Sequence, residues 1–334
     1  MPDLSQRHTF GIASQCRTLY EFSSVQQLLE LYPQLSPCYV MGEGSNTIFV
    51  EDFDGQVLIN RITGVTATPM TIAGQSGIHL SVGAGENWHA LVQYTVEQGW
   101  GGLENLALIP GSVGAAPIQN IGAYGLEVGE RILDVEVVDV SSGRLFKLTK
   151  DECEFAYRDS IFKRDKARNW VVVKVDFWLP DDVTPIATYA ELAALSNPDA
   201  AEIYHQVIAI RQRKLPDPKQ LGNAGSFFKN PTITRRDYQN LQASYPGIPG
   251  FIVSADAVKV PAAWLIDNAG LKGVCIGGAC SYQQQPLVLV NQGEATGEAV
   301  IALAKKIIAT VKSQFGVTLA PEVRLIGKQG RIVL

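Results

Sequence analysis

The 334-residue sequence predicts an α+β fold, and three features carry that expectation. Short apolar runs separated by glycine dominate the first half. Helical stripes with recognisable caps appear mainly in the second half. No long-period repeat or low-complexity segment interrupts them.

Taken in order, Ser24-x-x-Gln27 reads as a capping box, with Val25, Leu28, Leu29 and Tyr32 at helical spacing until Pro33 stops them. The runs Cys38–Met41, Thr47–Val50 and Gln56–Asn60 read as strands. His79–Val82 is another strand. After a GAGEN loop comes a helix from Trp88 to about Gln98, ended by a left-handed Gly99. Leu133–Val140 and Arg144–Leu148 flank Ser141-Ser142-Gly143 as a hairpin, and Trp170–Leu179 adds a strand. Ile203, Val207 and Ile210 mark a helix that must end before Pro216. Thr234 caps another, and Pro261 starts a short one ending at Gly270. Val300, Leu303, Ala304, Ile307, Ile308 and Val311 form the stripe of the longest helix, Thr296 to Phe315, closed by Gly316.

Composition narrows the function. Hydrophobic residues make up 46%, charged residues 18%, and 28 Lys+Arg against 33 Asp+Glu give a net charge of −5. Two or three domains are expected at this length, and disorder is excluded. The basic stripe that nucleic-acid phosphates require is lacking. Charges break the longest apolar stretches well short of a membrane span, and MPDLSQRHTF has no secretory core, so a cytoplasmic protein is expected. Cys16, Cys38, Cys153, Cys275 and Cys280 contain no Cys-x-x-Cys and are expected to be reduced, mostly buried thiols. The four histidines lack ligand spacing, and no metal is expected.

Three glycine-rich segments are candidates for binding. Gly42-Glu43-Gly44-Ser45-Asn46-Thr47 lies between two strands, and its backbone can approach an anion closely. Thr47 replaces the third glycine of a dinucleotide fingerprint, and the GAGENW loop lacks that glycine too, so a plain turn remains open for each. Gly101–Gly125 combines six glycines, two prolines and almost no charge, which suits wrapping a flat ring system or forming an irregular core loop.

Three polar clusters are candidates for chemistry. Arg158, in YRDSIFK, is either a carboxylate fork or a structural partner of Asp159. Ser226, in GNAGSFFKN, is not in a nucleophile elbow, since Phe228 occupies the second glycine position. Glu322 offers a carboxylate near the C-terminus, or a strand-end ion pair.

Together these segments closely resemble the UDP-N-acetylenolpyruvoylglucosamine reductase (MurB) family. The resemblance runs essentially end to end through GEGSN (42–46), INR (59–61), VGAGENWH (82–89), GLENLALIPGSVGAAPIQNIGAYG (102–125), YRDSIFK (157–163), KLPDPK (214–219), GNAGSFFKNP (222–231), AWLID (263–267), LKG (271–273) and PEVRLIG (321–327). It implies an FAD-binding fold of the vanillyl-alcohol-oxidase/PCMH type with a C-terminal α+β substrate-binding domain. FAD-binding subdomains would span 1–67, with 319–334 packing back onto the first, and 68–202. Residues 203–318 would cover the substrate. Noncovalent FAD would lie against Gly42, Glu43, Gly44, Ser45, Asn46, Asn105, Pro110, Gly111, Ser112, Gly114, Ala115, Gln119, Asn120, Gly122, Ala123 and Tyr124.

The resemblance further implies an NADPH-dependent reduction of an enolpyruvyl ether on a UDP-sugar by a monomer. Reduced FAD would deliver hydride to the methylene carbon, Arg158 would hold the carboxylate, a protonated Glu322 would assist, and Ser226 would protonate the adjacent carbon. Substrate-binding residues carried over are Tyr189, Lys214, Asn230, Lys272, Gln285 and Arg324. Tyr189 sits in TYAEL, which is similar to the tyrosine-bearing loop of the longer subclass, with Glu191 in place of its aspartate. Phe251 stands where the family has a tyrosine, removing one hydrogen bond unless Tyr245 or another donor replaces it. The alternative is another FAD-dependent sugar or lactone oxidase or dehydrogenase on the same fold.

Overall fold

The structure, a computed structural model, describes residues 1–32 and 37–334. The chain divides into two compact units. A central unit comprises Thr18–Glu43 and Gly55–Arg213; a terminal unit comprises Met1–Arg17, Gly44–Asp54 and Lys214–Leu334.

The central unit is built on an antiparallel sheet in the order Arg144–Thr149, Ile132–Asp139, Trp170–Pro180, Gln75–Gly83, Val65–Ile72. Over its first half the strand Trp170–Pro180 is apolar on both faces because both are covered. A bulge between Val172 and Lys174 shifts its alternation. Val171 and Val173 therefore pack with Leu28 of helix α1 (Val25–Leu31), while Val172, Val175, Phe177 and Leu179 join the larger core. On that second side lies α2 (Trp88–Glu97), whose Asn87 cap accepts the Ala90 N–H at 2.9 Å and whose end is marked by Gly99 at φ 75°. Trp88 is fully buried, 6.0 Å ring to ring from Phe177, and donates to the Leu106 carbonyl at 2.9 Å.

Other expectations need adjustment. Ser24 caps α1, but Gln27 reaches back to the Ser23 N–H at 2.8 Å, so the box closes one residue early. The expected stop at Pro33 lies outside the described residues. In the hairpin, Asp139 pairs with Arg144, leaving a four-residue connection over 140–143. The glycine-rich segment becomes a largely buried string of short 3₁₀ turns (Glu104–Leu106, Val113–Ala115, Pro117–Gln119), followed by another at Val128–Glu130. Leu103, Leu106, Val113, Ala116, Leu126 and Val128 anchor it in the core. α3 (Ala200–Lys214) closes the unit, burying Ile203, Tyr204, Val207 and Ile210.

The terminal unit has a sheet in the order Gly222–Ser226, Val288–Asn291, Ala279–Ser281, Cys275–Ile276. In a second sheet, Thr47–Phe49 runs parallel to Arg324–Gly327, which pairs in turn with Gly330–Ile332. A third holds Thr232–Thr234, Ala257–Lys259 and, at its edge, Phe251–Ile252. Helix α4 (Arg235–Ser244) is capped by Thr234, and α5 (Ala262–Asn268) follows Pro261. The long α6 (Gly297–Phe315) starts at the Thr296 cap and ends at Gly316, φ 70°, with Val300, Leu303, Ala304, Ile307 and Val311 in the core.

The expectation of five reduced thiols is corrected. Cys275 and Cys280 face each other across the hairpin that turns at Gly277-Gly278, with Cα atoms 4.1 Å apart, and form a disulfide. Their spacing of five hides this, because only the hairpin register makes them neighbours. Cys16, Cys38 and Cys153 are thiols. Among the described residues no helix is long and apolar enough to cross a membrane.

Candidate active site

In the terminal unit, Ser226 ends the strand Gly222–Ser226. That strand pairs regularly with Val288–Asn291 at Gly222 and Asn223, then shifts register before Ser226 pairs with Val288. Gly225 takes φ 71°, and its N–H donates to the Asn223 side-chain oxygen at 3.0 Å. Asn223 also donates to the carbonyls of Pro216 and Leu221 at 3.1 and 2.9 Å. The irregularity re-aims the chain at Ser226, which is half-buried, while Phe227 and Phe228 behind it are core residues.

Glu322 lies on the neighbouring segment. Its N–H donates to the Phe227 carbonyl at 2.7 Å, and Phe228 and Pro321 form an antiparallel bridge. Asn46 holds the other side: its amide donates to the Glu322 carbonyl at 3.4 Å, and its carbonyl accepts the Arg324 N–H at 3.0 Å. Ser226, Glu322, Asn46 and Arg324 therefore belong to one stitched backbone cluster. Gly44 and Ser45 precede it, each accepting from Thr9.

Arg158 belongs to the central unit. Its backbone is left-handed, φ 53°, and its guanidinium donates to the carbonyls of Gly122 at 2.7 Å and Asn120 at 3.5 Å. A Cβ at Gly122 would stand 3.2 Å from Nη1, so glycine there permits the approach. Lys163 Nζ donates to the Arg158 carbonyl at 2.6 Å. Asp159, the competing structural partner, instead takes Arg164 in a two-pronged pair at 2.9 and 2.6 Å. That pair holds the Asp159 carboxyl below its ordinary pKa.

The central unit also holds most of the expected FAD-binding residues. Glu43 accepts from the Gly111 N–H at 3.1 Å and from Asn87 at 2.7 Å. A side chain at Gly42 would run into the Ser112 hydroxyl, and one at Gly114 into Ala84. The 42–43, 83–88 and 110–115 segments thus pack backbone to backbone, leaving Pro110 and Ala115 exposed. Asn105 donates to the Tyr124 and Ile186 carbonyls at 2.9 and 2.8 Å, while its buried Oδ1 has no hydrogen-bond partner. An orphan acceptor beside a small-residue cradle fits a flat ring system bearing N–H groups, as FAD does.

Asn120 is different. Its amide is consumed inside the protein by Glu127 at 2.6 Å, the Ala156 carbonyl at 3.1 Å and the Gly129 N–H at 2.9 Å. Its side chain is therefore committed to loop shape, with φ 44°. Gln119 and Ala123 lie half-buried on either side of it.

The expected substrate-binding residues fall in both units. Tyr189 is exposed and meets Tyr124 edge to face at 5.8 Å, with Glu191 paired to Arg213. Lys214, the first residue of the terminal unit's last stretch, is exposed at the end of α3. In the terminal unit, Asn230 Oδ1 accepts the Ala262 N–H at 2.9 Å and Lys272 lies 3.4 Å from Asp267. Gln285 has a buried Oε1 without a partner, the state of a side chain shaped for a donor. Phe251 is exposed on its edge strand, while Tyr245 is engaged with the rings of Phe315 and Trp264 at 5.0 and 6.2 Å.

Comparison with known proteins places the chain. Residues 23–149 match an FAD binding domain, and residues 217–326 match the C-terminal domain of UDP-N-acetylenolpyruvoylglucosamine reductase. Relatives bearing that reductase name include one from Photobacterium profundum, 46% identical over 97% of this chain and 94% of its own length. Another, from Pasteurella multocida, is 44% identical over 99% and 98%. The crystal structure of the Thermus caldophilus reductase superposes with a TM-score of 0.65 at 23% identity, covering 96% of both chains, and so shares the fold. With this identity over nearly the whole length, the chain belongs to the UDP-N-acetylenolpyruvoylglucosamine reductase family.

Proposed function

We propose that the chain reduces UDP-N-acetylglucosamine enolpyruvate to UDP-N-acetylmuramate with NADPH, through FAD, in peptidoglycan synthesis. The observation that carries the site assignment is the register shift that re-aims Ser226 beside Glu322. Bound between the glycine-rich loops, FAD would supply hydride-transfer chemistry linking NADPH to the methylene carbon of the enolpyruvyl group. The protein's part is to hold the carboxylate, stabilise the charge displaced onto it, and supply a proton.

Arg158 holds the carboxylate. Its guanidinium is already oriented by two backbone carbonyls, so little reorganisation accompanies charge development. Ser226 Oγ donates its proton to the carbon that bears the ether oxygen. A hydroxyl suffices because a carbanion is far more basic than an alkoxide. Glu322, in its protonated form, would donate a hydrogen bond to the same developing anion. Lys272 and Lys214 supply point charges for the diphosphate, with Tyr189, Asn230, Gln285 and Arg324 as further contacts. This reading includes the finer division in which 203–318 covers the substrate, and a monomeric protein of the cytoplasm.

The test separates the half-reactions under anaerobic conditions. The yellow protein should bleach with NADPH and regain its colour with the enolpyruvyl UDP-sugar. In Ser226→Ala, bleaching should stay within about two-fold of wild type while recolouring slows by at least about 100-fold. Fast recolouring in that variant removes Ser226 from the role. Recolouring only by dioxygen points to an oxidase instead.

A further inference from the structure

Helix α3 carries a second guanidinium within electrostatic reach of Arg158. Arg211 lies one turn beyond Val207, on the stripe that buries Ile203, Val207 and Ile210. Its Nε is buried without a hydrogen-bond partner, and among the described residues no carboxylate lies within ion-pair distance of it. Glu191, which like Arg211 acts on Tyr124, is paired with Arg213. The charged group that does act on Arg211 is another cation, Arg158, and its polar neighbour is the Tyr124 hydroxyl. Burial, reinforced by Arg158, pulls the Arg211 pKa below the ordinary arginine value, with Tyr124 opposing.

A guanidinium with a buried Nε and no carboxylate partner, within electrostatic reach of a second one, is unfavourable in the protein alone, because desolvation and repulsion act together. An anion between them removes both penalties. Guanidinium forks match a planar two-oxygen anion better than a point charge does. We propose that Arg211 is a substrate-binding residue that, with Arg158, clamps the enolpyruvyl carboxylate. This rests on the function proposed above. It assigns the carboxylate to two forks and leaves the diphosphate to the lysines. Tyr124, edge to face with Tyr189, then forms the uncharged wall of the clamp.

Spectral titration of the oxidised holoenzyme tests the assignment without turnover. Arg211→Gln should bind the enolpyruvyl UDP-sugar at least about ten-fold more weakly, with Arg211→Lys intermediate. UDP-N-acetylglucosamine, which lacks the carboxylate, should bind wild type and both variants alike. Equal losses for both ligands, or no loss for either, overturn the proposal. If wild type itself does not bind the enolpyruvyl sugar, the functional reading fails instead. A bromide soak of wild-type crystals covers that case and any failure of the variants to fold. An anomalous peak in contact with both guanidiniums supports the clamp, and bromide bound only elsewhere overturns it.

Discussion

At the scale of single residues, burial sets what each titratable group does. His8 is almost fully buried in the terminal unit, its Nε2 3.2 Å from the Ile12 carbonyl, its Nδ1 without a partner, its ring against Phe49. Burial is the main reason that its pKa falls to about 4. The unfolded chain therefore takes up a proton near pH 6.5 that the folded one refuses. His8 adds stability above pH 6.5, and that contribution is lost as pH falls towards 4. Between pH 7 and pH 5 it should remove about 2 kcal/mol, and denaturant unfolding of His8→Gln should show a correspondingly flatter pH dependence.

The sequence identifies Ser226, Arg158 and Glu322 only through motif resemblance, since no spacing within the chain implies that Asn46 holds the segment around residue 322. Arg211 escapes such reading altogether. Within RQRK it is one cation among several, and only the helix register turns it inward while Arg213 meets Glu191 at the surface.

At the scale of elements, caps and stripes were legible and irregularities were not. The sequence places the Thr296 cap, the Gly316 stop and the core stripe of α6 because each is a local signal. The bulges at Val172/Lys174 and before Ser226 depend on a partner strand, so their sequences look like ordinary strand or turn. The same holds for the Cys275–Cys280 pair.

Helix α6 also shows tertiary packing overriding propensity. Gly297 sits at its first helical position with its Cα facing the Val50 backbone, where any Cβ would collide with the Val50 carbonyl. Thr296→Ala should cost about 1 kcal/mol through loss of the bond to the Ala299 N–H. Gly297→Ala, although alanine is the better helix former, should cost more, about 1–3 kcal/mol, because no rotamer relieves a clash with backbone. Thermal unfolding of the two variants side by side checks the order.

At the scale of the whole molecule, both units draw on separated stretches of chain. The last stretch is part of the terminal core: Leu319, Val323, Leu325 and Ile326 are buried, and Arg324–Gly327 is the parallel partner of Thr47–Phe49. Removing residues 319–334 should therefore abolish cooperative unfolding of that unit rather than merely lower its midpoint. Denaturant titration of the truncated chain, followed by tryptophan fluorescence, gives the answer through the Trp264 signal.

The same pairing sets a timetable for synthesis. Asn46 and Glu322 are 276 residues apart in sequence and hydrogen-bonded in the fold. At roughly 5–20 residues per second, a ribosome needs some tens of seconds to span that interval. Throughout it the strand Thr47–Phe49, buried in the finished protein, remains without its partner strand. All of Thr18–Arg213 emerges earlier, so the central unit has its whole sequence in hand while the strand is still unpaired. The nascent chain thus carries an exposed aggregation-prone edge for most of its translation, and a holding chaperone would be most useful there.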